Sequence, residues 1–285
     1  PGVLFEDTIN HWNNLQRIEK LSATNPCVTA DTFVMTTDGP IPVKDLVGNP
    51  FTAIVSGNEY RSGEQGFFVT GTKPVFRITT SLGYSVRVTA DHLILTMTEF
   101  GPEWVKAGDL VIWGSTVVFS DTRTNPDWGR LGYEEGVLLG SVYGNLPNTH
   151  NDQNEERDRI LKSLNTSIES LTITPELEKC SSEFYKGFLS RFIDIAGMIN
   201  DETNRVVVER DHATLIAIQR MLLRFGISCN VSESITVKGK WTLELSILYL
   251  TPFLWKVESI GRYSSVDIAK SVSDYLNENS AYAFT

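Results

Sequence analysis

The chain has 285 residues, of which 41% are hydrophobic and 21% charged, with a formal net charge of −10. This composition is ordinary for one to three folded domains, and the acidic balance argues against a strong non-specific nucleic-acid binder, because phosphate contacts need clustered Lys and Arg. No apolar run reaches the ~18 residues of a membrane span, and the polar start of the chain lacks the features of a signal peptide. We therefore predict a cytoplasmic protein without a membrane partner. Its three widely spaced cysteines fit a reducing cytosol.

The first part of the chain changes character at Cys27. Residues 1–26 are polar, with a weak helical tendency, and are too short to fold alone. Beyond them, short β-rich runs alternate with turn residues, and this spacing predicts an all-β domain over 27–121. The predicted strands cover residues 33–37, 41–43, 51–55, 67–70, 75–80, 84–89, 93–98 and 110–119.

The second part has helical periodicity. After a turn-rich linker over 122–129, apolar residues recur at helical spacing in three segments, whereas residues 148–156 are polar and turn-rich. The predicted helices cover residues 133–146, 182–199 and 211–225. Two β-rich runs, 227–237 and 241–248, predict a hairpin around Lys238 and Gly239. We therefore expect an α+β domain over 130–262, followed by a segment, 263–285, that ends as a strand begins.

Cys27 is the candidate nucleophile of the β-rich domain. Its thiol can attack the carbonyl of Pro26 in an N-to-S acyl shift if the fold strains that peptide, which can supply ~1–3 kcal/mol. A second group must protonate the departing nitrogen, and histidine is suited to this near neutral pH. Thr89 and His92 are three residues apart and are predicted to act on the same peptide. This chemistry needs no metal and no cofactor, and formation of the thiolate sets its pH dependence.

Three ordered segments carry a resemblance to inteins, the self-splicing protein elements. Residues 27–39, continued by 42–46, resemble the first intein block; residues 83–92 resemble the second; residues 104–110 resemble the segment that follows. The resemblance implies a horseshoe-like, all-β Hint splicing domain whose substrate is its own backbone and whose partners are the flanking host segments, the exteins.

A complete intein closes with a His-Asn pair, and residues 282–285 resemble only the opening of the block before it. We therefore expect the chain to lack a C-terminal intein segment, which makes that segment a further partner. A partial gene product and a split intein remain the two explanations.

Residues 1–26 resemble the segment of adenosylcobalamin-type ribonucleotide reductases that ends in Ala-Thr-Asn-Pro before a cysteine. The similarity lies in residues 4–10 and 23–26. It implies that the intein interrupts a reductase gene, so that Cys27 is the first residue of the intein and not a reductase cysteine. In one alternative reading, the only assignable function is that of the reductase fragment.

Residues 138–146 and 189–197 resemble the paired LAGLIDADG helices of homing endonucleases, which pack through small residues and hold Mg²⁺ on terminal carboxylates. The acidic positions are occupied here by Asn145 and Ala196, and Asp194 is a poor substitute. Arg191 replaces an expected small residue and predicts looser helix packing. We therefore predict an endonuclease-like domain without activity, and Mg²⁺ as a cofactor only if that activity survives.

The alternative of an active, metal-dependent endonuclease requires double-stranded DNA as a partner and a basic surface to bind it. Acidic residues outnumber basic ones between 130 and 262, which argues against this alternative. The residues predicted to line a DNA-binding face are Arg205, Arg210, Arg220, Arg224, Lys238 and Lys240.

Overall fold

The computed structural model describes residues 27–55, 57–118, 131–144, 155–168, 170–200, 205–234 and 238–246. The predicted host segment, the linker and the closing segment lie outside these residues. The described residues divide into two compact units, one of residues 27–80 and 84–118 and one of residues 81–83 and those from 131 onwards. Within these ranges, no helix is both long and apolar enough to cross a membrane.

The first unit contains short antiparallel strands in three sheets. The sheets have the orders β2-β1-β3-β4, β5-β6 and β8-β7-β9. The strands are β1 (Phe33–Thr36), β2 (Gly39–Pro42), β3 (Thr52–Val55), β4 (Asn58–Arg61), β5 (Phe76–Thr79), β6 (Ser85–Val88), β7 (Leu93–Thr98), β8 (Gly101–Lys106) and β9 (Thr116–Val117).

Two hairpins of this unit are built on the same sequence, Met-Thr-x-x-Gly-Pro, at residues 35–40 and 97–102. In the first, the Thr36 hydroxyl donates to the carbonyl of Gly39 at 2.7 Å. In the second, Thr98 makes the same bond to Gly101 at 2.9 Å. Both glycines have positive φ, which favours glycine at the turn. Each hairpin is followed by one 3₁₀ turn, Val43–Asp45 or Ala107–Asp109. This internal repeat went unnoticed in the sequence analysis.

A small apolar cluster stabilises the first sheet. Its partly buried members include Phe67, whose ring stacks on that of Phe51 at 5.3 Å. The buried members are Val34, Val43, Leu46, Phe51 and Ala53. The predicted strand over 67–70 is wrong, because Phe67 makes one isolated bridge, to Val47, and residues 68–70 are not in a strand.

Other strand predictions in this unit also need correction. The sequence analysis missed β4, because all four of its residues are exposed and leave no apolar alternation. It also missed β8, most of whose residues are exposed. The predicted strand over 110–119 is reduced to Thr116–Val117. A turn precedes it, in which Trp113 has a φ of 63°, which extended backbone does not allow.

The second unit contains helices on one face of a four-stranded antiparallel sheet of order β10-β11-β13-β12. The helices are α1 (Tyr133–Gly144), α2 (Glu155–Ser163), α3 (Pro175–Glu178), α4 (Ser182–Ala196) and α5 (His212–Leu223). The strands are β10 (Gly197–Asn200), β11 (Arg205–Arg210), β12 (Asn230–Glu233) and β13 (Trp241–Ser246).

Local capping sets the helix boundaries of this unit. Ser181 and Asp211 begin α4 and α5 by accepting hydrogen bonds from backbone N–H groups three residues on. The predicted helix over 182–199 ends early, because Gly197 is extended and begins β10. The sequence analysis missed β11, and it missed α2, whose first residues it assigned to a polar turn.

Helices α1 and α4 contact each other backbone to backbone. A Cβ added at Gly136 would lie 2.2 Å from the carbonyl oxygen of Phe184, and one at Gly187 would lie 2.2 Å from that of Tyr133. Only glycine permits this approach. The expectation of loose packing at Arg191 is wrong, because its Nε donates to Ser141 Oγ of the facing helix at 3.0 Å.

Candidate active site around Cys27

Thr89 lies directly after β6 and pairs with the backbone of Cys27. The Cys27 N–H donates to Thr89 Oγ1 at 3.2 Å. In return, the Thr89 N–H donates to the Cys27 carbonyl at 3.1 Å. The bridge between Val28 and Val88 continues this pairing. Two of the three predicted residues, 62 positions apart, are thus brought into direct contact.

The carboxylate of Asp91 adds a second link to Thr89. The Thr89 side chain hydrogen-bonds this carboxylate, and that bond is the main reason that the pKa of Asp91 lies below its usual value. The Thr89 hydroxyl therefore donates to Asp91 while it accepts from Cys27. The sequence analysis assigned no role to Asp91, although its place between Thr89 and His92 was a usable signal.

His92 is buried, with 3% of its surface exposed. Burial is the main cause of a pKa below the ordinary 6.5 of histidine, so the imidazole is neutral near pH 7. Within the described part of the chain, His92 Nδ1 has no hydrogen-bond partner. The backbone fixes the position of the residue, because its N–H donates to Thr89 and its carbonyl accepts from Ala107 at 2.7 Å.

The thiol of Cys27 contacts two residues that the sequence analysis did not identify. Its Sγ lies 3.3 Å from Thr70 Oγ1 and 3.6 Å from Lys73 Nζ. Both side chains come from the loop before β5, more than 40 positions along the chain, so no local pattern connects them to Cys27.

The two positions at which the sequence analysis expected endonuclease acids are occupied by Asn145 and Ala196. Asn145 lies outside the described residues. Ala196 is the last residue of α4, and its methyl group offers no metal ligand. Asp194 is buried two positions earlier. Because two residues correspond to about 200° of helix rotation, its carboxylate cannot occupy the place of an acid at 196.

Two of the six predicted DNA-binding residues have a different role. Arg220 and Arg224 both pair with the buried carboxylate of Glu178, the second at 2.9 Å. The prediction that Arg224 lines a DNA-binding face is wrong, because its side chain is only 11% exposed and pairs with Glu178. Glu178 offsets one of the two positive charges, and the Arg220 side chain remains 37% exposed.

The remaining basic residues do not form one basic surface. The Arg210 guanidinium donates to the Gly144 carbonyl and lies over the Phe192 ring. Arg205 pairs with Glu244, and Lys240 pairs with Glu209 at 3.4 Å. Lys238 is exposed in the turn before β13.

The outer face of the sheet is therefore close to neutral. The strand register places Arg205 and Glu209 of β11 on the same face as Glu244 of β13. In the described part of the chain, no cluster of three or more His, Cys, Asp or Glu side chains could hold a metal ion.

Comparison with known proteins gives partial similarities to two kinds of protein. The chain is 30% identical over 166 residues to the replicative DNA helicase DnaB of Rhodothermus marinus, covering 54% of this chain and 17% of the helicase. It is 37% identical over 127 residues to DnaB of a Nostoc species, covering 41% and 14%. It is also 31% identical over 104 residues to the ribonucleoside-diphosphate reductase large subunit of Invertebrate iridescent virus 6, covering 35% and 10%.

These similarities define partial relatives and not a family. The chain spans only 10–17% of the length of these three relatives. No protein-family model matches it.

Proposed function

We propose that this chain carries out the first step of protein splicing at the Pro26–Cys27 peptide, as an intein-type splicing domain with an endonuclease-like insertion. The observation that carries the proposal is the hydrogen bond from the Cys27 N–H to Thr89 Oγ1. This bond holds the Cys27 nitrogen, which is the leaving group of the acyl shift, next to Thr89. The sequence analysis predicted that Thr89 acts on this peptide.

The reaction moves one acyl group and one proton. Cys27 Sγ attacks the Pro26 carbonyl carbon, a C–S bond forms, and the C–N bond of the peptide breaks. The thiol proton ends on the new amine of Cys27. His92, neutral near pH 7, is the proposed carrier of that proton.

Thr89 and Asp91 favour the product side of this shift. The peptide N–H becomes a neutral primary amine, which then takes up a further proton from solvent near neutral pH. Because Asp91 accepts the proton of the Thr89 hydroxyl, the oxygen of Thr89 turns its lone pairs to that nitrogen. A charge-assisted arrangement of this kind stabilises an ammonium more than the amide from which it came.

The comparisons support an element that occurs in unrelated hosts. A helicase and a reductase have different activities, yet both kinds of protein match stretches of this one chain. The reductase match covers 35% of the chain. Residues 1–26 make up less than a tenth of the chain. The match must therefore extend well beyond the proposed host segment.

Residues 1–26 are proposed to belong to a ribonucleotide reductase host. The endonuclease-like unit is proposed to be inactive, since Ala196 supplies no metal ligand and acidic partners neutralise the basic residues of the sheet. Without acids at positions 145 and 196, the residues present do not fit Mg²⁺.

Mass spectrometry of the purified chain, incubated with dithiothreitol or hydroxylamine, tests the acyl shift. We expect release of a fragment that ends at Pro26 and is joined at its C-terminal carbonyl to the added reagent. Hydroxylamine is included because the Pro26 ring crowds the carbonyl and slows exchange with larger thiols. The fragment should be absent from Cys27→Ala and strongly reduced in His92→Ala.

Variants of Thr89 separate chemistry from packing. Thr89→Val removes the hydroxyl, which should slow the release about tenfold or more, since hydrogen bonds to charged groups contribute ~1.5–3 kcal/mol. Thr89→Ser should retain most of the rate. His212→Ala, an exposed histidine of the second unit, is the matched control. If the wild-type chain releases no fragment with either reagent, the proposal is wrong.

A further inference from the structure

The thiol of Cys27 lies beside a cation that does not belong to the Thr89–His92 pair. Lys73 Nζ is 3.6 Å from Cys27 Sγ, and Thr70 Oγ1 is 3.3 Å from the same sulfur. Both residues lie in the loop before β5, whereas Thr89 contacts the backbone of Cys27 from the end of β6. The reacting sulfur and the leaving nitrogen are thus held by separate segments.

The charged side chains of the described residues near the sulfur can be named one by one. Lys73 is the cation that contacts it. Asp91 also faces Lys73, which contributes to the lowered pKa of that carboxyl, and this contact offsets part of the lysine's charge. The buried imidazole of His92 is neutral near pH 7. Arg87 and Asp31 pair with each other at 2.5 Å.

We propose that Lys73 is a catalytic residue of the acyl shift, whose ammonium donates to the sulfur of Cys27 and stabilises the attacking thiolate, while Thr70 fixes the direction of that sulfur. This inference rests on the proposed function. It adds to that function the group that makes the sulfur reactive.

Lys73 stays protonated throughout the reaction and neither gives nor takes a proton. The thiol loses its proton, and the thiolate is held by the ammonium of Lys73. The thiolate then forms the C–S bond with the Pro26 carbonyl carbon, and the departing nitrogen takes up one proton. The sulfur of the thioester is uncharged, so the contact with Lys73 weakens once the bond has formed.

The net effect of the lysine on the rate is an acceleration near neutral pH. A nearby cation raises the thiolate fraction, which is the reactive form. It also lowers the intrinsic nucleophilicity of that thiolate, but by only about half as much on a logarithmic scale. The gain in thiolate is therefore larger than the loss in reactivity wherever the thiol form predominates.

Two measurements on the full chain test this role. The first is the rate at which iodoacetamide alkylates Cys27, followed by peptide mass spectrometry across a pH series. The second is the rate of hydroxylamine cleavage at Pro26. Each is made on the wild type, Lys73→Met and Lys73→Arg. Lys44→Met, an exposed lysine in the first 3₁₀ turn, is the matched control.

Lys73→Met should slow both reactions about threefold to tenfold near neutral pH, because the contact is charge-assisted but solvent-exposed. The difference should shrink as the pH rises and the thiolate forms without help. It should also shrink in ~1 M salt, which screens an exposed pair. Lys73→Arg should retain most of the rate, and Lys44→Met all of it.

Other outcomes overturn the inference. Equal alkylation and cleavage rates in wild type and Lys73→Met would show that the contact has no chemical effect. A slowing that is independent of pH and accompanied by a lower melting temperature would assign Lys73 a structural role only. If the wild type does not cleave at all, the proposed function fails, and the alkylation series still decides whether Lys73 activates the thiol.

Discussion

The backbone and the side chain of Cys27 are held by different parts of the first unit. Thr89 accepts the Cys27 N–H, and the loop that carries Thr70 and Lys73 contacts the thiol. A nucleophile and a leaving group on one residue must part during an acyl shift. Holding each by its own segment restrains both in the starting geometry, which reduces the entropy lost on the way to the transition state.

The buried imidazole of His92 connects the candidate chemistry to stability. Burial lowers its pKa below the ordinary 6.5, so the unfolded chain binds a proton at a higher pH than the folded chain does. Between those two pKa values the unfolded state carries more protons. Stability from this residue is therefore complete above pH 6.5 and is lost as the pH falls.

A pH series of melting temperatures tests this linkage. Between about pH 7.5 and about pH 5.5, the wild type should lose stability relative to His92→Gln, whose side chain does not titrate. His212→Gln, at an exposed histidine of the second unit, is the control. Parallel curves for wild type and His92→Gln would contradict the prediction.

At the scale of elements, helices α1 and α4 of the second unit depend on glycine for their contact. Gly136 and Gly187 let each backbone reach the carbonyl groups of the other helix. Helix propensity alone would favour alanine over glycine by up to ~1 kcal/mol. A Cβ 2.2 Å from the Phe184 carbonyl oxygen has no room, because the obstacle is backbone and cannot move aside.

Gly136→Ala should therefore destabilise the second unit despite its better helix propensity. We expect a loss of about 1–3 kcal/mol in the free energy of unfolding, the usual range for overpacking. Urea unfolding followed by the helical far-ultraviolet circular dichroism signal measures it. Glu134→Ala, at an exposed position of the same helix, is the control and should be nearly neutral. A stabilised Gly136→Ala variant would show that the helices can separate at little cost.

At the scale of the whole molecule, the net charge of the chain is acidic, and the outer face of the sheet in the second unit is close to neutral. Arg205 and Lys240 are neutralised by Glu244 and Glu209. Because DNA affinity depends on releasing counterions through unpaired cations, such a face is expected to bind DNA weakly. The net charge of −10 adds a long-range repulsion between the chain and DNA, which weakens binding further.

Removing the carboxylates of Glu209 and Glu244 should raise the affinity of this face for DNA. Glu209→Gln with Glu244→Gln frees both cations and should raise the affinity for a labelled duplex of random sequence about tenfold at low salt. The plot of log affinity against log salt concentration should also become steeper, by the amount that about two additional phosphate contacts contribute. Fluorescence anisotropy at several salt concentrations measures both effects.

Glu134→Gln with Glu155→Gln makes the same change of charge at exposed positions of α1 and α2 and is the control. Tight binding or Mg²⁺-dependent nicking by the wild type would contradict the proposal that the unit is inactive. Restoring the acids, with Asn145→Asp and Ala196→Asp, would then show whether the scaffold can still cleave.

Much of the fold followed from local patterns in the sequence. The predicted helix over 211–225 is confirmed as α5, and the predicted strand over 93–98 as β7, because each has a clear apolar period. The exposed strand β4 has no such period and was missed. The strand predicted over 67–70 is wrong, because its apolar run does not mark a buried strand and Phe68 and Val69 are exposed.

The sequence by itself determined which residues of the candidate site to examine, because Cys27, Thr89 and His92 occur in segments whose order and spacing can be read along the chain. Only the tertiary structure decided that Lys73 and Thr70 meet the sulfur, and that Arg220 and Arg224 pair with the buried carboxylate of Glu178. These contacts join residues 42 to 46 positions apart. Their formation depends on how strands and helices pack, and local sequence patterns do not record that packing.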